Sequence, residues 1–90
     1  MAVNNKKLER ELKALANARR LAILKFLSQN KEATVGDIAE AIKLSFRSTS
    51  RHLAILKATE IVECEQRTIF YYYRLVSPRL RSVQAVLSLV

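Results

Sequence analysis

Apolar residues recur along this chain at helical spacing, switch to strand-type runs near residue 61, and return to helical spacing at the end. Leu8, Leu12 and Leu15 stand at i, i+4 and i+7, which predicts an amphipathic helix over Asn4–Ala16. Lys6, Lys7, Glu9, Arg10, Glu11 and Lys13 cover its other faces, so the stripe is wide enough to dock but too narrow to build a core. Asn17 is a predicted N-cap, because its side-chain carbonyl can accept from unpaired amides at a helix start. The helix that follows, Ala18–Ser28, turns Leu21, Ile23, Leu24 and Leu27 inward with Phe26, a broad apolar face suited to the centre of a fold. Thr34 and Asp37 have capping-box spacing and open a short helix, Val35–Ile42, with Val35, Ile38, Ala39 and Ile42 on one stripe. After Lys43–Leu44, Ser45 is a further N-cap for a helix over Phe46–Ala58. That helix buries Thr49, Leu53 and Leu56 and leaves Arg47, Ser48, Ser50, Arg51 and Lys57 on a polar face.

Ile61–Arg67 and Ile69–Leu75 are rich in Ile, Val, Phe and Tyr, residues that favour strands. They predict a two-stranded hairpin reversing near Gln66–Thr68. Without Gly or Asn there, a longer or irregular tip is expected rather than a tight two-residue turn. Ser77 and Pro78 then suit the N-cap and first position of a last helix, where the missing proline N–H costs nothing. Leu80, Val83 and Leu87 line one side of it, with Val86 and Val90 beside them. The predicted fold is mainly α with a two-stranded β-hairpin: a winged helix-turn-helix in the order helix, helix, helix, helix, strand, strand, helix. One domain spans 1–90, with the helix-turn-helix at 34–58, the wing at 61–75 and terminal helices at 4–16 and 77–89.

Composition changes the picture in two ways. Ninety residues bury only about 60–65% of their unfolded surface, so the fold is marginal alone and gains from packing against a second copy. One cysteine excludes an internal disulfide framework and a multi-cysteine zinc site. The N-terminal stretch is too polar for a secretory signal, and no apolar run approaches the roughly 18 residues of a membrane span, so no membrane association and a cytoplasmic, reduced setting are expected. Sixteen Lys and Arg against eight Asp and Glu give a net charge of +8. A field of that sign attracts polyanions, nucleic acid first among them; the plainer reading is a basic soluble protein without such a partner.

A helix that enters the major groove must present donors and acceptors to base edges, and its N-terminal residues reach deepest. Those are Phe46, Arg47, Ser48, Ser50 and Arg51, with Ser45 at the helix start and Lys57 at its far end. Arg47 and Arg51 lie four apart and share a face; either can offer a bidentate pair to guanine. Ser48 and Ser50 suit phosphates or bases, and Phe46 suits a thymine methyl. His52 has two readings, a contact to phosphate or a neighbouring loop, and a half-buried structural residue beside Leu53. Arg67 at the hairpin tip is a candidate for a flanking phosphate or the minor groove, and otherwise an exposed charge. Glu63 and Glu65 repel DNA, which confines any wing contact to the tip. Tyr71, Tyr72 and Tyr73 are read as strand packing. Cys64 is read as a small strand hydrophobe, with a redox-sensing thiol as the alternative. No catalytic set, phosphate-cradling loop, metal site or cofactor site is evident, so no enzyme is expected.

Four ordered stretches carry a family resemblance: LKALANARRLAILKFL (Leu12–Leu27), TVGDIAEAI (Thr34–Ile42), SFRSTSRHLAILK (Ser45–Lys57) and YYYRL (Tyr71–Leu75). With them the chain resembles the ArsR/SmtB family of small winged-helix repressors. The resemblance implies a homodimeric repressor of transcription that binds a palindromic operator in double-stranded DNA and is released by a ligand. It places the groove-facing positions on Phe46, Arg47, Ser50 and Arg51. It places the dimer interface on the first and last helices, through Leu8, Leu12, Leu15, Leu80, Val83 and Leu87. The family's cysteine site near the third helix is missing from EATVGDIAE, and its His and acidic site is missing from SPRLRSVQAVLSLV. No metal sensing is therefore expected through them, and any effector is an unknown small molecule or a redox signal. Glu60 stands where the family's Gly commonly follows the recognition helix, and Thr68 or a neighbour replaces the wing-tip Gly. The competing reading is a winged-helix module that binds protein and no specific DNA.

Overall fold

Short polar side chains start the central helices as the pattern predicts. The computed structural model describes residues 5–90, so the Asn4 end of the first predicted helix lies outside the described residues. The elements are α1 (Asn5–Leu15), α2 (Ala18–Gln29), β1 (Ala33–Thr34), α3 (Val35–Ile42), α4 (Phe46–Ala58), β2 (Val62–Arg67), β3 (Phe70–Leu75) and α5 (Arg81–Leu87). The Asn17 side chain accepts from the amides of Arg19 and Arg20. Thr34 and Asp37 form a reciprocal capping box, and Ser45 accepts from the Ser48 amide at 3.1 Å.

Both helices of the helix-turn-helix end the same way. Lys43 has φ 56°, and the amides of Lys43 and Leu44 reach back to the carbonyls of Glu40 and Ala39. Glu60 has φ 60°, and the amides of Glu60 and Ile61 reach back to Lys57 and Leu56. These are Schellman-type ends, which favour Gly at the left-handed position. The apolar contact that accompanies such an end is present, because Ile61 and Leu56 share the core.

Three elements depart from expectation. The hairpin gains a third strand: Ala33 pairs with Tyr73 and Thr34 with Tyr72, giving the order β1-β3-β2. Thr34 thus belongs to the sheet and caps α3 at once, which ties the wing to the helix-turn-helix. The hairpin tip is tight, not long: Arg67 pairs with Phe70 across only Thr68 and Ile69. Thr68 has φ 55°, and it is the only turn residue with positive φ, the sign pattern of a type II′ turn. Six paired positions on each strand offset the local cost of a non-Gly residue there. The last helix starts at Arg81 with Leu80 as its cap and no side-chain cap bond, rather than at Pro78. The Ser77–Pro78 peptide is cis.

Ile23 and Leu24 of α2, Ile38, Leu53, Leu56, Ile61, Val62 and Val83 form the fully buried centre. Leu15 and Val83, both expected in a dimer interface, are 3% and 1% exposed inside one chain. They belong to the protomer core because α1 and α5 pack on each other. Leu8 and Leu12 remain 40% and 46% exposed, and Leu80 and Leu87 are half-buried against the core.

Candidate nucleic-acid interface

Recognition-helix geometry follows from which face α4 buries. Thr49, Leu53 and Leu56 point into the core. The opposite face therefore carries Arg47, Ser50, Arg51 and Ala54 at i, i+3, i+4 and i+7, with Phe46 at its leading end. These five residues line one shallow groove on the surface. Phe46 is 63% exposed, a state that burial alone does not favour. The helix holds no acidic residue, so Arg47, Arg51 and Lys57 give it an uncompensated positive charge. Ala54 joins this face through its i+7 spacing from Arg47, a signal the sequence carries although the charged and hydroxyl residues dominate it. Its small side chain leaves the C-terminal end of the stripe low enough for close approach.

Ser45 and Ser48 lie differently. Ser45 is committed as the cap, and Ser48 is half-buried while donating its amide to Ser45. Lys57 is exposed on the last turn. Thr49 is fully buried, and its hydroxyl has no hydrogen-bond partner among the described residues.

His52 turns toward α2. Its Nδ1 lies 3.2 Å from the Arg20 guanidinium, which makes Nδ1 the acceptor. Burial, then the charges of Arg20 and Arg19, hold the imidazole below the ordinary histidine range. Arg20 also donates to the carbonyls of Ala14 and Lys13, at the end of α1. One guanidinium thus joins α1, α2 and α4. Sequence spacing gives no hint of this, because residues 20 and 52 meet only through the tertiary fold.

Arg67 does not project from the wing tip. Its guanidinium lies 4.1 Å above the Tyr72 ring, pairs with Glu32, and sits 3.6 Å from Glu65. Arg74 pairs with Glu63 and Glu65, each at 2.9 Å. The bond from Arg74, then the Arg67 charge, hold the Glu65 carboxyl below its usual range. Cys64 is half-buried opposite Tyr73. Burial, with Cys64 adding to it, raises the Tyr73 hydroxyl above the usual phenol range. Among the described residues no three His, Cys, Asp or Glu side chains converge to hold a metal ion, and no helix is long and apolar enough to cross a membrane.

Known proteins share this arrangement. A family model described as bacterial regulatory protein, arsR family, matches residues 17–63. The transcriptional activator HlyU of Vibrio cholerae is 44% identical over 62 residues, covering 67% of this chain and 56% of HlyU. The transcriptional repressor SdpR of Bacillus subtilis is 40% identical over 63 residues, covering 70% of this chain and 69% of SdpR. The solved structure of V. cholerae HlyU superposes with a TM-score of 0.82 at 35% identity, covering 99% of this chain and 92% of that one. A homodimeric winged helix-turn-helix DNA-binding domain from Mycobacterium bovis superposes at 0.83 with 32% identity, covering 94% of this chain and 76% of that one. These relatives are regulators of transcription and not enzymes. With the motif order, the fold and the relatives in agreement, the chain belongs to the ArsR family of bacterial regulatory proteins.

Proposed function

We propose that this chain is a homodimeric repressor that binds a palindromic operator with α4 of each copy in a major groove. The carrying observation is the exposed face of α4, where Arg47, Ser50, Arg51 and Ala54 form one basic, low-lying stripe behind Phe46. Arg47 and Arg51 supply the bidentate donors that read guanine, and Ser50 supplies a shorter polar contact between them. The exposed Leu8 and Leu12 on α1 supply an apolar surface for a second copy, with Leu80 and Leu87 at its margin. A two-fold axis there sets two recognition helices about 34–36 Å apart, one turn of the duplex. Lys57, exposed on the last turn of α4, flanks the stripe and serves the phosphates rather than the bases. Such a dimer acts in the cytoplasm and represses where its operator overlaps a promoter, by occupancy.

The test is selection of bound duplexes from a random pool, followed by sequencing. An enriched palindrome with half-sites one turn apart supports the reading. A pool that stays random, with protein partners still captured, favours the module that binds protein alone. Leu12→Asp places a charge in the apolar surface and is expected to shift the chain toward monomer in sedimentation.

A further inference from the structure

Arg20 stands in the first turn of α2, and all three of its guanidinium nitrogens are engaged by other elements. Nε donates to the Ala14 carbonyl and Nη2 to the Lys13 carbonyl, the latter at 3.4 Å. Both carbonyls lie in the last turn of α1, where a helix runs out of its own donors and favours a cation. Nη1 lies 3.2 Å from Nδ1 of His52, which follows Arg51 on α4. A planar fork with fixed donor directions holds its partners at a set separation, which a flexible ammonium does not. α1 also reaches α4 where Arg10 donates to the Ala58 carbonyl, but at 3.5 Å that bond is beyond the usual range. Arg20 is the firmer of these two ties.

The tie joins the two surfaces that the proposed function needs. α1 carries the exposed Leu8 and Leu12 offered to a second copy, and α4 carries the stripe offered to DNA. In a two-fold dimer, how each α4 sits on its own α1 sets the distance between the recognition helices, and the axis applies any change at that joint twice. Thr49, Leu53 and Leu56 anchor α4 to the core. Apolar contact is non-directional, so it fixes the tilt of a helix less sharply than a hydrogen-bonded fork. We propose that Arg20, acting through His52, is a positioning residue that fixes the spacing of the two recognition helices in the dimer. This inference rests on the homodimer and DNA-binding reading above. Once one half-site is held, binding the second is intramolecular, and its gain depends on whether the geometry already matches. A joint set in advance spares the ordering cost of that step. A duplex with a single half-site draws no such gain.

The experiment uses the palindromic duplex that the wild-type chain selects from a random pool, a duplex keeping one of its half-sites, and palindromes with a base pair added or removed at the centre. Fluorescence anisotropy gives the affinity of each for wild type, His52→Leu, His52→Asn and Arg20→Met. His52→Leu removes the acceptor and leaves the hold of Arg20 on α1. His52→Asn returns an oxygen near the place of Nδ1, at similar helix propensity. Arg20→Met keeps an apolar stem and removes the fork. His52→Leu is expected to bind the half-site like wild type, to lose about tenfold on the palindrome, comparable to one hydrogen bond to a charged group, and to discriminate less among spacings. Arg20→Met is expected to show the same pattern, and His52→Asn to recover most of the affinity and the sharp spacing optimum. The proposal is overturned if His52→Leu and Arg20→Met keep the wild-type affinity and spacing profile. It is overturned equally if they weaken half-site and palindrome by the same factor, the mark of a direct DNA contact or of general damage to the fold, or if His52→Asn behaves like His52→Leu. Thermal melts and sedimentation check that each variant is a folded dimer. A wild-type chain that selects no palindrome overturns the DNA-binding reading and this inference with it, a result distinct from all of these.

Discussion

Ser82→Ala tests how the two terminal helices are joined. Glu11 of α1 is only 7% exposed, and its carboxylate accepts from the Ser82 hydroxyl of α5 at 2.6 Å. Those residues are 71 apart in sequence, so the bond closes the chain on itself. A hydrogen bond to a charged group contributes about 1.5–3 kcal/mol, and removing one partner leaves the other buried without compensation. A chain of this length has a total stability of about 5–13 kcal/mol, so the loss is a large fraction. For a domain of 60–100 residues it corresponds to a melting point lower by about 6–24 °C. The opposite case is sharper. Glu11→Met with Ser82→Ala removes both polar groups and keeps the volume, so the double variant is expected to recover most of the loss. Urea denaturation at one fixed protein concentration measures all four forms, since dimerisation makes stability concentration-dependent. Ser82→Ala within about 0.5 kcal/mol of wild type, or single-variant costs that simply add, would falsify the role given to this bond.

Three further predictions concern the core and the helix ends. Glu60→Gly relieves a left-handed residue that costs about 1–2 kcal/mol, against about 0.5–1 kcal/mol of added backbone entropy, so a modest gain is expected in a thermal melt; a loss contradicts it. Thr49→Val removes a buried hydroxyl without a partner and is expected to stabilise by about 1 kcal/mol in urea denaturation; destabilisation would show that the hydroxyl is in fact bonded. His52 is held below its unfolded value, near 6.5, so the unfolded chain takes up the proton more readily. The stability present above that pH therefore declines as pH falls toward the folded value, and His52→Gln is expected to flatten this part of the profile.

Local chemistry made most of the fold legible. Asn17, Thr34 and Ser45 act through bonds to amides two or three residues away, so their roles stand in the sequence. The α3 and α4 boundaries follow from those caps and from the apolar stripe. What was not legible depended on residues meeting from afar. β1 is two residues long and exists only because Tyr72 and Tyr73 come alongside it. The last helix begins late, because neither Ser77 nor Pro78 stands at its start and Leu80 takes the cap position without a side-chain bond. Leu15 and Val83 share a stripe with residues that stay exposed, and spacing alone cannot divide a helix face between its own core and a partner. At the candidate site, the stripe of Arg47, Ser50 and Arg51 was visible from spacing, and Ala54 was open to the same reasoning. Arg67 was visible as a charge but not as one paired with Glu32, 35 residues away. The clasp of Arg20 on His52 was hidden for the same reason.

The central claim is that the α4 stripe reads duplex DNA. The most direct measurement is the affinity of Arg47→Ala/Arg51→Ala for the duplex that the wild-type chain selects. Each arginine paired to guanine is worth about 1–3 kcal/mol, so the account predicts a loss between roughly 30-fold and 10⁴-fold with thermal stability unchanged. A folded double variant that holds this duplex as tightly as wild type contradicts the account.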